Sequence, residues 1–152
     1  MPTEYSTRDL RALQKRAFDY FPAHINPENG LVADQTRAAS PCSIAVLGLA
    51  LSCYPVAVEN GWMKKSAAQK LALAALRFLC ASEQSTSGTA TGYRGFYYHF
   101  LDMNSGRRVW KCELSTIDSA LLLYGILTAA EYFVCEELRD RAEFLVARAD
   151  WR

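Results

Sequence analysis

Residues 119–133, SALLLYGILTAAEYF, contain one charged side chain in fifteen positions, and residues 43–54, SIAVLGLALSCY, contain none. Runs of this length without a polar side predict helices that are surrounded by protein. The earlier helix is expected to begin with Ser40 as its N-cap and Pro41 in its first turn. Pro55 is expected to kink or end it, because proline removes a backbone donor. These two helices are therefore predicted to form the interior.

Three other helices are predicted to be amphipathic. They are expected at about Thr7–Phe21 (ended by Pro22), Lys64–Ser82 and Glu136–Trp151. Leu10 and Leu13 belong to the inward stripe of the first, and Arg139 and Glu143 form an i,i+4 pair on the last. Amphipathic and fully apolar helices thus alternate along the chain. This alternation predicts an all-α fold of two layers, as in an α/α toroid, whose hairpins each give one outer and one inner helix.

The length of the chain limits how much of a toroid it can build. Five helices make two and a half hairpins, whereas six hairpins at roughly 20 residues per helix need about 240 residues. With 152 residues, the single predicted domain is a partial toroid, either an open arc or the first part of a larger domain. Such an incomplete ring is expected to expose large apolar patches.

Composition excludes several classes of function. Lys plus Arg number 17 and Asp plus Glu number 16, so the net charge of +1 lacks the basic excess of nucleic-acid-binding proteins. Five scattered cysteines without a Cys-x-x-Cys pair, together with two histidines, argue against a metal site and predict buried thiols in a reducing compartment. No phosphate-binding glycine loop or HExxH motif is present. The uncharged residues 38–58 are interrupted by serine and proline, so a buried helix is favoured over a membrane span.

One β-hairpin is predicted between the helices. Residues 93–102, YRGFYYHFLD, and 107–113, RRVWKCE, flank the turn candidate MNSG. Aromatic and β-branched runs around such a turn are typical of a hairpin. Alternation along the first strand would place Phe100 and His99 on opposite faces.

Four segments carry a resemblance to a known family: NPENGLVADQTR (26–37), SPCSIAVLGLALSCYPVAVENGW (40–62), TGYRGFYYHFLDMNSGRRVWKCELSTIDSALLLYGIL (91–127) and RADW (148–151). Together they resemble the glycoamylase-like domain, which includes β-1,2-glucanases and a domain of cyclic β-1,2-glucan synthases. The resemblance covers nearly the whole chain, and GFYYHFLDM…GRR.W.CELSTID is its most specific string. It implies a six-hairpin α/α toroid of which this chain is the N-terminal part.

Glu113 is the first candidate for an acid or base role. Glycosidases use carboxyl groups that flank the sugar bond, one of them protonated near neutral pH. Glu113 is expected to be desolvated beside Trp110, which would raise its pKa, and the resemblance places it in the family's most distinctive motif. The alternative is a surface carboxylate stabilised by the following helix N-terminus. Asp118 is either a second carboxylate or the partner of Ser115 in a capping box.

The long loop at residues 23–39 holds Asp34 and Arg37. These side chains can accept from and donate to sugar hydroxyls, or they form an ion pair that closes the loop. Asp102 has similar alternatives, since it can bind sugar or cap the turn that follows it.

Aromatic residues near the hairpin provide the remaining candidates. Tyr93 and Trp110 are the side chains most expected at a cleft, where flat rings can receive the C–H faces of sugars. His99 can bind a sugar hydroxyl or assist proton transfer, and a structural histidine is the alternative.

The predicted function is hydrolysis or transglycosylation of a glycosidic bond in β-glucan, most of all β-1,2-linked, without a cofactor. The alternative is a non-catalytic helical arc that binds carbohydrate or protein. The expected partners are an oligo- or polysaccharide, not nucleic acid, with self-association or a complementing chain through exposed apolar helices. No secretory signal is recognised, so the 152-residue chain by itself is expected in the cytoplasm. If it is part of a larger protein, the periplasm or a membrane is expected instead.

Overall fold

The computed structural model describes residues 6–152, so the first five residues of the segment examined for a secretory signal lie outside the described residues. The helices are α1 (Thr7–Phe18), α2 (Tyr20–Ala23), α3 (Ile44–Glu59), α4 (Lys65–Ala81), α5 (Thr116–Phe133) and α6 (Glu136–Arg148). The strands are β1 (Cys42–Ser43), β2 (Gly92–Tyr93), β3 (Phe96–Tyr98), β4 (Phe100–Leu101) and β5 (Leu114–Ser115). The predicted mostly helical fold is confirmed. None of the described helices is both long enough and apolar enough to span a membrane.

α1 begins as predicted but does not bury its predicted stripe. The Ser6 side chain accepts from the backbone of Asp9, whose carboxylate accepts from the Ser6 backbone, which completes a capping box. Leu10 and Leu13 are exposed, so their predicted inward orientation is wrong. No part of the described chain covers that side of α1, and only Phe18 near its end reaches the core.

α3 starts three residues later than predicted and continues past its proline. Pro41 precedes β1 instead of occupying the first helical turn, because Cys42 and Ser43 pair with β4. Ser43, and not Ser40, is the N-cap. Pro55 lies inside the helix, which continues to Glu59.

The two apolar helices pack directly on each other through glycine. A Cβ atom added to Gly125 of α5 would lie 2.1 Å from the Gly48 carbonyl oxygen of α3. A Cβ atom on Gly48 would lie 2.4 Å from the carbonyl oxygen of Leu121. The two backbones therefore approach as closely as the chain allows, while α4 and α6 pack on each other and on α5 to form the second layer.

α5 is not surrounded by protein, which corrects the sequence prediction. Its buried side includes Leu122, Ile126 and Ala129, whereas Tyr124 and Leu127 face solvent. α3 covers one side and α6 another, and residues 6–152 supply no further element to cover the third. The predicted exposure of apolar patches by a partial ring agrees with this observation.

The predicted hairpin forms only next to its turn, where Leu101 pairs with Arg108, and the rest of the aromatic run joins two small sheets. β2 and β3 form a tight hairpin whose turn residues, Arg94 and Gly95, have φ values of 51° and 83°. Two consecutive positive φ values are typical of a type I′ turn. β3 then pairs with β5, and β4 pairs with β1. The expected second strand does not continue beyond Val109, because Trp110 and Lys111 also adopt left-handed conformations, with φ of 56° and 52°.

α6 uses a different ion pair from the predicted one. Glu137 binds Arg141 on the next turn and also receives Arg77 from α4, whereas no ion pair of the described residues joins Arg139 to Glu143. The helix ends at Arg148 instead of continuing to Trp151. The free thiols are mostly half-buried, and only Cys42 is fully buried as expected.

Candidate functional site

The starts of both apolar helices meet at one short segment, and the candidate site lies there. β4 pairs with β1 directly before α3, and β3 pairs with β5 directly before α5. His99 lies at the bend between β3 and β4, while Glu113 immediately precedes β5. The N-terminal ends of helices stabilise negative charge. This corner of the fold is therefore suited to carboxylates.

His99 joins the two predicted catalytic carboxylates. Its Nδ1 atom lies 2.8 Å from Oε1 of Glu113 and 3.5 Å from Oδ2 of Asp118. One potential metal-ligand atom from each of the three side chains lies within 4.8 Å of the other two, which is close enough for them to share a cation. The sequence prediction of no metal site did not anticipate that these three side chains converge, because they come from separate elements.

The His99 ring is held on several sides. It stacks on Phe100 with 3.9 Å between ring centroids and 13° between planes. The His99 backbone N–H donates to the Glu113 carbonyl at 3.0 Å, and its carbonyl accepts from Ile44 N–H at 3.2 Å. The predicted placement of His99 and Phe100 on opposite faces is wrong, because the bend at His99 interrupts the strand alternation.

Glu113 is ionised more readily than predicted. Its side chain is 65% exposed, and a backbone hydrogen bond at Glu113 itself and the hydrogen bond from His99 hold its pKa below the ordinary value. The expected desolvation beside Trp110 is overturned, since these hydrogen bonds to the charged form outweigh burial. Glu113 is therefore a carboxylate at neutral pH, which suits an acceptor or base and not a proton donor.

Removing the His99 ring is expected to raise the pKa of Glu113 towards its ordinary value. The variant His99→Ala loses a hydrogen bond to the charged form but keeps the backbone hydrogen bond, so the return is partial. An NMR titration that follows the Glu113 carboxyl carbon measures this directly. His24→Ala, which removes the other histidine, is the control and should leave the titration unchanged; an unchanged titration in His99→Ala would contradict the assignment.

The same pair predicts the direction of a pH effect on stability. A carboxyl whose pKa is lowered on folding stabilises the folded state above the unfolded pKa, here about 4.5. That contribution is lost as the pH falls through the lower folded value. The difference in unfolding free energy between wild type and His99→Ala should therefore be largest above pH 4.5 and become smaller in more acidic solution, where only the loss of the contact with Phe100 remains.

Asp118 takes only half of the predicted capping box. Its backbone N–H donates to Ser115 Oγ at 3.2 Å, so Ser115 caps α5. The Asp118 carboxylate is directed to His99 and is only 15% exposed. Its side chain therefore belongs to the candidate site, while the capping depends on Ser115.

A cleft of about 490 Å³ is lined by the first loop and by the turn after β4, and none of His99, Glu113 and Asp118 lines it. Its lining includes Arg37, Asp102 and Trp110, three of the residues predicted to bind sugar. Trp110 is 65% exposed and packs edge-on against Phe100 at 5.4 Å, so Phe100 connects the cleft to His99. Trp110 has a positive φ, which is uncommon for a bulky residue. Backbone strain of this kind is concentrated at functional sites.

Asp102 mainly caps its own turn. Its Oδ1 atom accepts from the backbone of Asn104 at 3.1 Å and from the backbone and hydroxyl of Ser105 at 2.7 and 2.8 Å. The Ser105 hydrogen bonds are the main cause of a lowered pKa at Asp102. One edge of the residue still reaches the cleft.

Two predicted binding residues lie outside the cleft lining. Asp34 accepts from Gln35 Nε2 at 3.2 Å, and no ion pair among the described residues joins it to Arg37. The Tyr93 ring lies 5.4 Å from the Arg94 guanidinium, and its hydroxyl accepts from Arg94 Nε at 3.2 Å. The structure therefore does not bring Asp34 or Tyr93 to the other candidates.

Sequence reasoning missed part of the cleft wall. The cleft is also lined by His24, Gln35, Met103 and Asn104. Asn29 holds the first loop to the turn after β4, because its side-chain amide donates to the Met103 carbonyl at 2.9 Å. His24 is one of two histidines in the chain and lies in the long loop, and these two facts were the available signal.

Comparison with solved structures shows where this architecture occurs. The structure aligns with a glucoamylase-like protein from Bacteroides uniformis at a TM-score of 0.81 and 24% identity, covering 98% of this chain. It aligns with a β-1,2-glucanase from Parabacteroides distasonis at a TM-score of 0.83 and 19% identity, covering 97% of this chain. An endo-β-1,2-glucanase from Chitinophaga pinensis was solved with sophorotriose and glucose. It aligns at a TM-score of 0.74 and 14% identity, covering 95% of this chain.

The chain has a glycoamylase-like fold. The resemblance predicted from the sequence is thereby confirmed at the level of fold. The chain spans 37%, 22% and 36% of these three structures, so the glycoamylase-like architecture extends well beyond the part described here. The sequence itself matches no family model and no curated protein.

Proposed function

We propose that this chain is the N-terminal portion of a glycoamylase-like α/α toroid that acts on β-glucan, with β-1,2-linked glucan as its substrate. The observation that carries the proposal is the pair of carboxylates joined by His99, whose ring is connected through Phe100 to Trp110 in the wall of a neighbouring cleft. Solved structures with this fold include two β-1,2-glucanases. The proposed reaction is hydrolysis or transglycosylation of the glycosidic bond.

The site residues have distinct proposed roles. Glu113, ionised and exposed, serves as the base or as an acceptor for a reacting hydroxyl. His99 holds its carboxylate in place, and Asp118 fixes His99 from the other side. Trp110 provides a flat face for a sugar ring, while Arg37 donates to sugar hydroxyls across the cleft.

The two carboxylates do not make a complete glycosidase pair by themselves. The two catalytic carboxyl groups of a glycosidase flank the sugar bond, one on each side of it. The oxygens of Glu113 and Asp118 lie within 4.8 Å and share one histidine nitrogen. The acid that completes the reaction is therefore proposed to come from a later part of the toroid, and little turnover is expected from the 152-residue chain.

Calorimetry with β-1,2-glucan oligosaccharides, beside an assay for new reducing ends, tests this proposal. The chain is expected to bind the oligosaccharides, and Glu113→Gln should weaken binding about tenfold, because an amide replaces a charged acceptor. Glu143→Gln, which changes an exposed glutamate on α6, is the matched control and should bind like wild type. Absence of binding, or equal binding by the two variants, would contradict the assignment of Glu113.

A non-catalytic carbohydrate-binding arc is the second candidate. The cleft that favours it is formed entirely by residues of this chain, from the first loop and the turn after β4. Trp110→Ala separates the two functions when the chain is joined to a complete domain. Loss of binding with unchanged turnover of bound substrate supports the arc. A loss of turnover in Glu113→Gln that persists at saturating substrate, and so exceeds the expected tenfold loss of binding, supports the enzyme.

A further inference from the structure

Residues 109–112 form a tight turn, which we call the 109–112 turn. The Cys112 backbone N–H donates to the Val109 carbonyl at 3.2 Å. The two residues between them, Trp110 and Lys111, both have positive φ, which is typical of a type I′ turn. Its central positions are dominated by glycine, asparagine and aspartate. Left-handed backbone at larger residues persists only where the surrounding structure holds it, so this turn needs support from outside itself.

Arg108 provides that support. Its Nη2 atom donates to the Lys111 carbonyl at 2.7 Å, which fixes the end of the 109–112 turn. Its guanidinium lies 4.1 Å from the centre of the Tyr98 ring, so the arginine is anchored on β3 as well. The Nε atom of Arg108 is buried and has no hydrogen-bond partner among the described residues. Burying a donor without a partner costs free energy, and the contacts with Lys111 and Tyr98 offset that cost.

The 109–112 turn carries or adjoins two groups of the candidate site. Trp110, within the turn, lines the cleft and packs edge-on against Phe100. Glu113 directly follows the turn, and its carboxylate lies 2.8 Å from His99. A change in the turn would therefore move the proposed sugar-binding ring and the proposed base together.

We propose that Arg108 is a positioning residue, which holds the 109–112 turn in its left-handed form and thereby sets Trp110 at the cleft and Glu113 beside His99. This role rests on the proposed function. Arg108 acts through the turn, since it does not line the cleft and forms no ion pair with Glu113 among the described residues.

The charge of Arg108 offers a second route to the site, which the test has to separate from the first. Hydrogen bonds at Glu113 itself and from His99 are the main causes of the lowered pKa of Glu113, and the positive charge of Arg108 adds to them. A variant that restores the turn without restoring the charge distinguishes the two routes.

Arg108→Met tests the role. It keeps an unbranched side chain but removes the charge and the donor to the Lys111 carbonyl. The left-handed turn is then expected in roughly one molecule in ten, because its strain is no longer offset. Calorimetry with β-1,2-glucan oligosaccharides should therefore show binding about tenfold weaker than that of wild type. Arg107→Met, which changes the exposed neighbouring arginine, is the matched control and should bind like wild type.

Lys111→Gly identifies the route, because glycine adopts positive φ without strain. The double variant Arg108→Met, Lys111→Gly should recover most of the lost binding although the charge of Arg108 is still absent. Lys111→Gly alone should bind like wild type. Failure of the double variant to recover overturns the role through the turn, and so does equal binding by Arg108→Met and Arg107→Met.

The indole N–H NMR signal of Trp110, assigned with Trp110→Phe, reports on the turn without any ligand. It should move in Arg108→Met, return in the double variant and stay in place in Arg107→Met. If the wild-type chain binds no oligosaccharide, the proposed function fails, and this signal still decides the role of Arg108, since an unmoved signal overturns it. If Arg108→Met does not fold, recovery of the fold by Lys111→Gly supports the role, and no recovery overturns it.

Discussion

Replacing Gly125 with alanine is expected to destabilise the protein by about 3 kcal/mol, at the upper end of overpacking costs. The new methyl carbon would lie 2.1 Å from the Gly48 carbonyl oxygen, which is backbone and cannot rotate away. α5 would have to move off α3, and that movement would open contacts along both helices. Urea unfolding followed by circular dichroism measures the change.

Gly88→Ala is the control for this substitution. Gly88 lies in an open loop where an added Cβ atom meets nothing within 4 Å, and its φ is not in the left-handed region. Its stability should change by less than about 0.5 kcal/mol, as for ordinary surface substitutions. Similar unfolding midpoints for the two alanine variants would contradict the close helix crossing.

Truncating Tyr97 to alanine is expected to cost about 3–5 kcal/mol, as for large aromatic side chains in cores. Tyr97 is fully buried, and burial raises the pKa of its hydroxyl to about 12. That hydroxyl donates to the Leu79 carbonyl at 3.4 Å and also binds the Arg148 guanidinium. One side chain thus connects β3 to the ends of α4 and α6.

Tyr97→Phe separates the ring from the hydroxyl. It keeps the packing but leaves Arg148 with only the Leu79 carbonyl, at 3.0 Å, as a hydrogen-bond partner from this group. The expected cost is about 1.5–3 kcal/mol, typical of one hydrogen bond to a charged group. Equal losses in the two variants would show that the hydroxyl, and not the ring volume, dominates.

Much of the helical framework could be predicted from local sequence. The observed α4 bounds differ from the predicted ones by one residue at each end, and Ser115 is the N-cap of α5, because periodicity and capping act within a few residues. The start of α3 could not be found in this way. Ser40 and Pro41 have the right local chemistry, but pairing of Cys42 with Leu101 overrides it across the chain.

In the candidate site, too, some features could be predicted from the sequence and others depend on contacts between distant segments. Glu113 and Asp118 could be identified as candidates from residue type and from resemblance to a family. The role of His99 between them could not, because it depends on a bend that breaks strand alternation. Tyr93 was misplaced for a related reason, since the β2–β3 turn at Arg94 holds it beside that arginine and outside the cleft lining.

The pairing of one segment with the starts of both apolar helices has a consequence for folding kinetics. Residues 96–101 pair with residues 42–43 and 114–115. The pairing with residues 42–43 closes a loop of more than fifty residues. The start of α3 cannot take its final position until that loop has closed, whereas the start of α5 needs only the shorter loop between β3 and β5. Helical proteins with mainly local contacts fold in microseconds to milliseconds, whereas non-local pairing delays folding. This chain should therefore refold more slowly than its helix content suggests.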